Sequence, residues 1–239
     1  MSAPVVLLHP LGADARFWDP VRAELGSLPT VALDLPGHGS APTSPLGAGI
    51  DAYADAVAEQ LTEFGEPAHL VGMSLGGIVA QQLGACRPDL VASVILVDTV
   101  PVYPEPFRQT WRDRAATARK DGLSSLIEPM VQMWFSTELT ASGDARVEQA
   151  RRTFAATDPE GYARTCDVLA EVDLRDRIAG WTMPAAVVCG SADAPAFLDG
   201  AKWLAGATGA HTVHWLPGRH ACAIEHPKQF AELVATTTS

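Results

Sequence analysis

The chain contains no apolar run approaching the roughly 18 residues that a membrane span requires, so no membrane partner is expected. Residues 1–8 carry neither a basic leading stretch nor a small-residue cleavage site. No signal peptide is read from them, and a cytoplasmic location is expected. Basic residues are in deficit, with a net charge of −11, and a surface of that sign excludes nucleic-acid phosphates as a partner. Cysteine is sparse and scattered: Cys86, Cys166, Cys189 and Cys222 lie far apart without C-x-x-C spacing. Reduced, mostly buried thiols are therefore expected rather than a disulfide framework. No pair of histidines or cysteines has metal-ligand spacing, so neither a metal nor another cofactor is expected. Internal repeats and low-complexity segments are also missing.

What is present is an ordinary globular composition, 47% hydrophobic and 19% charged over 239 residues, enough for one sizeable core and an insertion. Pro4 to Leu8 reads as a strand of continuous apolar character, as buried parallel strands do. A helix follows around Phe17 to Leu25, then a strand Thr30 to Leu35 that stops at Pro36-Gly-His-Gly39. A helix from about Asp51 to Phe64 leads to the strand ending at Leu70-Val71. Leu75 to Cys86 has helical spacing, and Val91 to Val97 is a further strand. This rhythm predicts an α/β chain with a doubly wound, mostly parallel sheet.

Between residues 101 and 180 the rhythm is lost. Helical segments are predicted near Phe107 to Lys120, Leu123 to Phe135, Asp144 to Ala155 and Pro159 to Val172, the last with Asp158 as N-cap and Pro159 at the first helical position. Strand character returns at Met183 to Gly190. A helix near Ala196 to Leu204, a strand His211 to Leu216 and a final helix from about Ala223 to Ala235 complete the chain. The expected organisation is one α/β core, 1–100 and 181–239, with an all-helical cap inserted at 101–180.

Gly72-Met73-Ser74-Leu75-Gly76 is a G-x-S-x-G match between a strand and a helix, the context such an elbow needs. The abrupt turn strains the central residue and leaves no room for side chains two positions away, which explains Gly72 and Gly76. It also presents the Ser74 hydroxyl above the sheet and leaves the Leu75 N–H at a helix N-terminus. A serine hydroxyl needs a base and a group that orients the base. Asp193 follows the strand ending at Gly190, and His220 follows the last strand. Both occupy carboxyl ends of parallel strands, where such sheets place their sites. Asp98 also ends a strand and is the rival acid.

The loop His9-Pro10-Leu11-Gly12 offers the Leu11 N–H as a second oxyanion donor beside that of Leu75. His9 frames the pocket and is a candidate substrate contact. His69, His211, His214 and His226 read as flanks of helices or strands, and His38 as structural. Eleven of the seventeen lysines and arginines fall within 101–180. An arginine there, Arg108, Arg112, Arg151, Arg152 or Arg164, could clamp a substrate carboxylate, and Arg112 is carried as a candidate. Trp111, Trp134 and Tyr162 are candidate walls for a small cyclic or aromatic-derived substrate.

Leu8-His-Pro-Leu-Gly12, Asp34-Leu-Pro-Gly-His-Gly-Ser40, the Ser74 elbow, Gly190-Ser-Ala-Asp193 and His220 together resemble the α/β-hydrolase superfamily over nearly the whole length. The elbow helix, Trp134-Phe135 and the run Asp158 to Arg175 are most similar to 3-oxoadipate enol-lactonases. The resemblance implies the α/β-hydrolase fold, here without the usual N-terminal hairpin, and hydrolysis of a small ester or lactone through an acyl-enzyme. Two departures are visible: His-Pro replaces the usual His-Gly, and the segment around Asp193 is short. A lyase or C–C bond hydrolase using the same triad, a cofactor-free peroxidase-like enzyme and a non-enzymatic binder on this scaffold are the alternatives. A small ester or lactone is the expected partner, with a homodimer left open.

Overall fold

The computed structural model describes residues 3–179 and 181–238. Met1, Gly180 and Ser239, which bound the segments expected from the sequence, lie outside the described residues.

Six strands form a single sheet: β1 (Val5–Leu8), β2 (Thr30–Leu33), β3 (Ala68–Met73), β4 (Val91–Val97), β5 (Ala185–Gly190) and β6 (Val213–Leu216). Their order is β2-β1-β3-β4-β5-β6, and every pairing is parallel. All four residues of β1 are buried, as are nearly all of β3 and β4. A strand with helices over both faces has no solvent side, so apolar residues run on without alternation. The chain passes from β1 to β2 on one side and then returns to place β3 on the other. The carboxyl ends of β1 and β3 therefore flank a topological switch point.

The core helices are α1 (Asp19–Leu25), α2 (Ile50–Thr62) and α3 (Leu75–Cys86) before the insertion. In α2 the buried residues Ile50, Tyr53, Ala54, Val57, Ala58 and Leu61 keep three- and four-residue spacing, which lays one apolar stripe against the interior. The insertion comprises α4 (Glu105–Asp121), α5 (Ile127–Trp134), α6 (Thr137–Ala141), α7 (Ala145–Ala156), α8 (Pro159–Glu171) and α9 (Arg175–Ile178). The core then resumes with α10 (Pro195–Ala207), α11 (Cys222–Glu225) and α12 (Pro227–Thr237).

Differences from the sequence reading are local. The single final helix expected from Ala223 is two helices, because the residue before a proline is pushed out of helical angles. His226 stands at φ −124, ψ 59 immediately ahead of Pro227. The short helices α6 and α9 are too brief to carry a periodic pattern and were not expected. The N-cap at Asp158 forms as read, its Oδ2 accepting from the Gly161 N–H at 2.7 Å.

The insertion leaves and rejoins the core at one neck. Val102 and Asp173 form an antiparallel bridge, and the Leu174 N–H donates to the Pro101 carbonyl at 2.9 Å. Within it, α4 packs along α8. The Tyr53 hydroxyl lies 2.7 Å from Thr165 Oγ1 and ties core helix α2 to α8. All four cysteines are free thiols, Cys86 exposed and the others buried. Among the described residues, no helix is long and apolar enough to cross a membrane.

Candidate active site

Ser74 stands between β3 and α3 at φ 52, ψ −111, a region that side chains rarely adopt. The strain persists because its surroundings leave no alternative. A Cβ on Gly72 would collide with the carbonyl of Gly76, and one on Gly76 with the carbonyl of Leu8 in β1. The turn is pinned from the sheet side as well: the Ser74 N–H donates to Val97 at 2.9 Å, and Thr99 Oγ1 donates to the Ser74 carbonyl at 2.8 Å. Each of these contacts is backbone to backbone or nearly so, which makes the elbow rigid.

The loop after β1 is joined to the same turn. The Gly76 N–H donates to the His9 carbonyl at 3.2 Å, bringing residues 9–11 beside the start of α3. Among the described residues, neither the Leu11 nor the Leu75 N–H donates to another group of the chain. Both residues are nearly or fully buried, and Leu11 lines the cleft above Ser74.

His220 lies in the loop after β6, with Nδ1 2.8 Å from Asp193 Oδ2; both side chains are 1% exposed. Asp193 Oδ1 also accepts from the Ala194 N–H at 2.7 Å, which fixes the carboxylate's orientation. A proton on Nδ1 shared with Asp193 leaves Nε2 as the acceptor nitrogen. The Phe197 ring packs against the imidazole at 4.3 Å between centroids. Burial alone would lower the pKa of His220. The Asp193 charge and hydrogen bond, with Asp98 behind them, outweigh it and hold the imidazole above its ordinary value, while Arg114 opposes them.

The Ser74 hydroxyl and His220 are not hydrogen-bonded to each other in this structure. Such contacts are commonly long in unliganded enzymes and tighten with substrate. The backbone next to His220 is bonded to a residue of the cleft over Ser74. The Ala221 N–H donates to the Trp134 carbonyl at 2.8 Å, and Trp134 lines the cleft over Ser74. The Tyr103 hydroxyl is buried without a hydrogen-bond partner of its own.

Asp98 does not take the acid's place beside His220. It turns at φ 43 beyond β4, its Oδ1 accepts from the Gly190 N–H at 2.7 Å, and the Cys222 thiol donates to Oδ2 at 2.9 Å. Full burial, reinforced by the Asp193 charge, pushes its carboxyl far above the usual range. Ligand-type atoms of Asp98, Cys189 and Asp193 also lie within 4.8 Å of one another, a buried group formed at the ends of the adjacent strands β4 and β5. Sequence spacing carries no sign of it, since Asp98 is remote in the chain from the other two. Asp193 and Asp98 are already engaged by His220, Gly190 and Cys222 as described.

The cleft over Ser74 is lined by Pro10, Leu11, Trp111, Arg114, Met130, Met133, Trp134, Phe154 and Tyr162. Three of the candidate substrate contacts, Trp111, Trp134 and Tyr162, are therefore placed beside the hydroxyl. Two are not. Arg112 points to the outside of α4, bonded to Glu105 at 2.8 Å and Glu171 at 3.3 Å. His9 is fully buried behind the loop, where Nε2 accepts from the Leu35 N–H at 3.0 Å and Nδ1 lies 2.8 Å from the Pro10 carbonyl. The reading missed Arg114, which stands two residues from Arg112 on α4 but on a different face of the helix. A helical-wheel comparison with buried Trp111 and Ala115 would have pointed to it.

Free space over Ser74 is about 10 Å³, the scale of one water molecule. A neighbouring groove of about 340 Å³ between core and insertion, bordered by Gly12, Phe17, Arg146 and Ile224, shares Trp134 with it.

A strained serine between a strand and a helix and a buried histidine–carboxylate pair at the carboxyl ends of the parallel sheet are features of the α/β-hydrolase architecture. Residues 5–233 match the model of the alpha/beta hydrolase family, and the chain belongs to that family and is a hydrolase. It is similar to 3-oxoadipate enol-lactonase 1 of Acinetobacter baylyi, at 26% identity over 97% of this chain and 87% of that one. It is also similar to a pimeloyl-[acyl-carrier protein] methyl ester esterase of Chromobacterium violaceum, at 32% identity over 97% and 92%. Among solved structures, the enol-lactonase from Burkholderia xenovorans LB400 superposes with a TM-score of 0.93 at 27% identity, covering 99% of this chain and 91% of that one. The likeness to enol-lactonases read from the motifs therefore holds.

Proposed function

We propose that the protein hydrolyses a small carboxylic ester or lactone through an acyl-enzyme formed on Ser74. The observation that carries this reading is the buried His220–Asp193 pair at 2.8 Å, standing at the same sheet edge as the strained Ser74 elbow. His220 Nε2 takes the Ser74 proton as the hydroxyl adds to the carbonyl carbon. The imidazolium formed is stabilised by Asp193 and gives the proton to the leaving oxygen. The Leu11 and Leu75 N–H groups, which have no partner in the chain, receive the oxyanion at the N-terminus of α3. Water then repeats the sequence on the acyl-enzyme. The helical insertion acts as a cap whose aromatic underside excludes bulk water and limits substrate size. The names of the relatives, an enol-lactonase and a methyl ester esterase, support this substrate class.

A panel of small lactones and aryl esters, with and without a free carboxylate, tests the reading together with a fluorophosphonate probe. Wild type should turn over members of the panel and be labelled at Ser74. Ser74→Ala should remain folded, escape labelling and lose turnover by roughly four to six orders of magnitude. Full activity in Ser74→Ala would overturn nucleophilic catalysis.

A further inference from the structure

Among the described histidines, His9 alone is bonded through both ring nitrogens. It is fully buried in the loop after β1 and does not line the cleft over Ser74. Its Nε2 accepts the Leu35 N–H at 3.0 Å, just beyond β2. That bond needs a bare nitrogen at Nε2, so the proton of the neutral ring sits on Nδ1. Nδ1 therefore donates to the carbonyl of Pro10, the next residue, at 2.8 Å. Burial lowers the pKa of His9 and favours the neutral ring, while the Pro10 bond and the charges of Asp34 and Asp14 oppose it. The ring of His38 packs beside it at 5.2 Å between centroids, with its own Nδ1 3.1 Å from the Pro36 carbonyl.

The Pro10 carbonyl belongs to the same peptide group as the Leu11 N–H. A trans peptide is planar, with its C=O and N–H on opposite sides of the chain. Whatever holds the oxygen therefore aims the hydrogen. The oxygen is drawn inward by His9 Nδ1 and by the Ala13 N–H at 3.2 Å. The preceding peptide is tied to the elbow, since the His9 carbonyl accepts from the Gly76 N–H at 3.2 Å. Pro10, between them, has its φ locked by its own ring. Two neighbouring peptide planes are thus fixed, one to α3 and one, through an imidazole, to the end of β2. Pro10, Leu11 and Ser74 line one cleft.

We propose that His9 is a positioning residue of the oxyanion site: its Nδ1–H holds the Pro10 carbonyl so that the Leu11 N–H of the same peptide faces the oxygen that becomes negative when Ser74 attacks. His9 takes this role on the hydrolase reading above, and within it preorganises one of the two oxyanion donors. Such a donor is worth most when its dipole is already aligned, because nothing then has to turn as charge develops. Without the imidazole the peptide between residues 10 and 11 is free to rock. The cost falls on the transition state, where the oxyanion exists, rather than on the binding of a neutral carbonyl. His9 itself touches neither substrate nor the reacting atoms.

Asn and Gln separate the two ring nitrogens. The amide of His9→Asn can still donate near the Nδ1 position, whereas that of His9→Gln reaches toward Leu35 and leaves the Pro10 carbonyl without its side-chain donor. With p-nitrophenyl acetate as substrate and a fluorophosphonate as probe, His9→Gln should lose about 10- to 100-fold in kcat and in the rate of Ser74 labelling, with KM within about twofold of wild type. His9→Asn should keep at least about fivefold more of both rates than His9→Gln. Wild-type rates in folded His9→Gln, equal losses in the two variants, or a loss confined to KM would overturn the role. A second measurement needs no variant: two-bond ¹H–¹⁵N correlation of the histidine rings in wild type reads the tautomer. A proton on His9 Nδ1 with none on Nε2 supports the role even if neither variant folds, and a proton on Nε2 overturns it. Failure of the fluorophosphonate to label wild-type Ser74 would instead count against the hydrolase reading alone.

Discussion

At the carboxyl ends of β3, β5 and β6 the chemistry is held by backbone. Ser74 is fixed by the Val97 carbonyl and the Thr99 hydroxyl, Asp193 by the amide of Ala194, and Asp98 by the amide of Gly190. Across the cleft, the insertion presents long side chains: Trp111, Met130, Met133, Trp134, Tyr162 and Arg114. Its helices are joined to one another chiefly by exposed ion pairs and packing. The first region is held by short-range backbone contacts that leave little freedom of position. The second can repack around different small molecules without disturbing that geometry, since rotating a methionine or tryptophan leaves the sheet untouched. Separating the two explains how relatives with one sheet and one elbow carry names as different as lactonase and methyl ester esterase.

The sharpest way to break this comparison is to exchange the two buried acids at the strand ends. Asp193→Asn should reduce kcat by roughly 10⁴, because the amide would hold the wrong imidazole tautomer. Its acid limb in kcat/KM should also move to lower pH, since Asp193 is the main group holding the pKa of His220 up against burial. Asp98→Asn should keep most of the activity, as Asn still accepts from Gly190. A carboxyl whose folded-state pKa is raised stabilises the fold below its unfolded pKa and loses that contribution as pH rises through the folded value. Asp98→Asn should therefore gain Tm relative to wild type progressively as pH rises from about 4 to about 8 and level off above that, checked by thermal melts across pH. Comparable loss of activity in both variants would show that the acids share one role.

The next effect tests the rigidity of the elbow. Gly76→Ala forces a methyl group into the Leu8 carbonyl and should cost about 1–3 kcal/mol or more. In a domain of this size that is roughly 2–4 °C of Tm per kcal/mol. Calorimetry would check it, and an unchanged Tm would mean that the elbow has slack. The smallest effect belongs to the outer face of the insertion. Arg112→Ala breaks only exposed pairs with Glu105 and Glu171, so Tm and kcat/KM should stay essentially at wild-type values. A marked loss of activity there would erase the distinction between the two faces of α4.

Much of the molecule was legible before any coordinates. Local rules govern the elbow: Gly72 and Gly76 flank Ser74 because backbone must pass backbone there, and that need is written at fixed spacing. Leu75–Cys86 and Val91–Val97 were readable to the residue because both are mostly apolar between clear breaks. His220 and Asp193 were legible as residues following strands, although their 2.8 Å contact spans 27 positions of chain. The insertion was legible only as helices. Arg112 and Arg114 are two residues apart, and one position of twist decides which meets solvent carboxylates and which faces Ser74.

The sequence alone determined the succession of strands and helices, the strained serine and the order of the reactive groups, because these follow from spacing, steric bulk and apolar run length within a few residues. Only the tertiary structure decided which acid meets His220, that Asp98 is turned to Gly190 and Cys222, and that Arg114 lines the cleft over Ser74. Those outcomes depend on which faces of distant elements are pressed together, and burial and unsatisfied polar atoms exist only once that packing is complete.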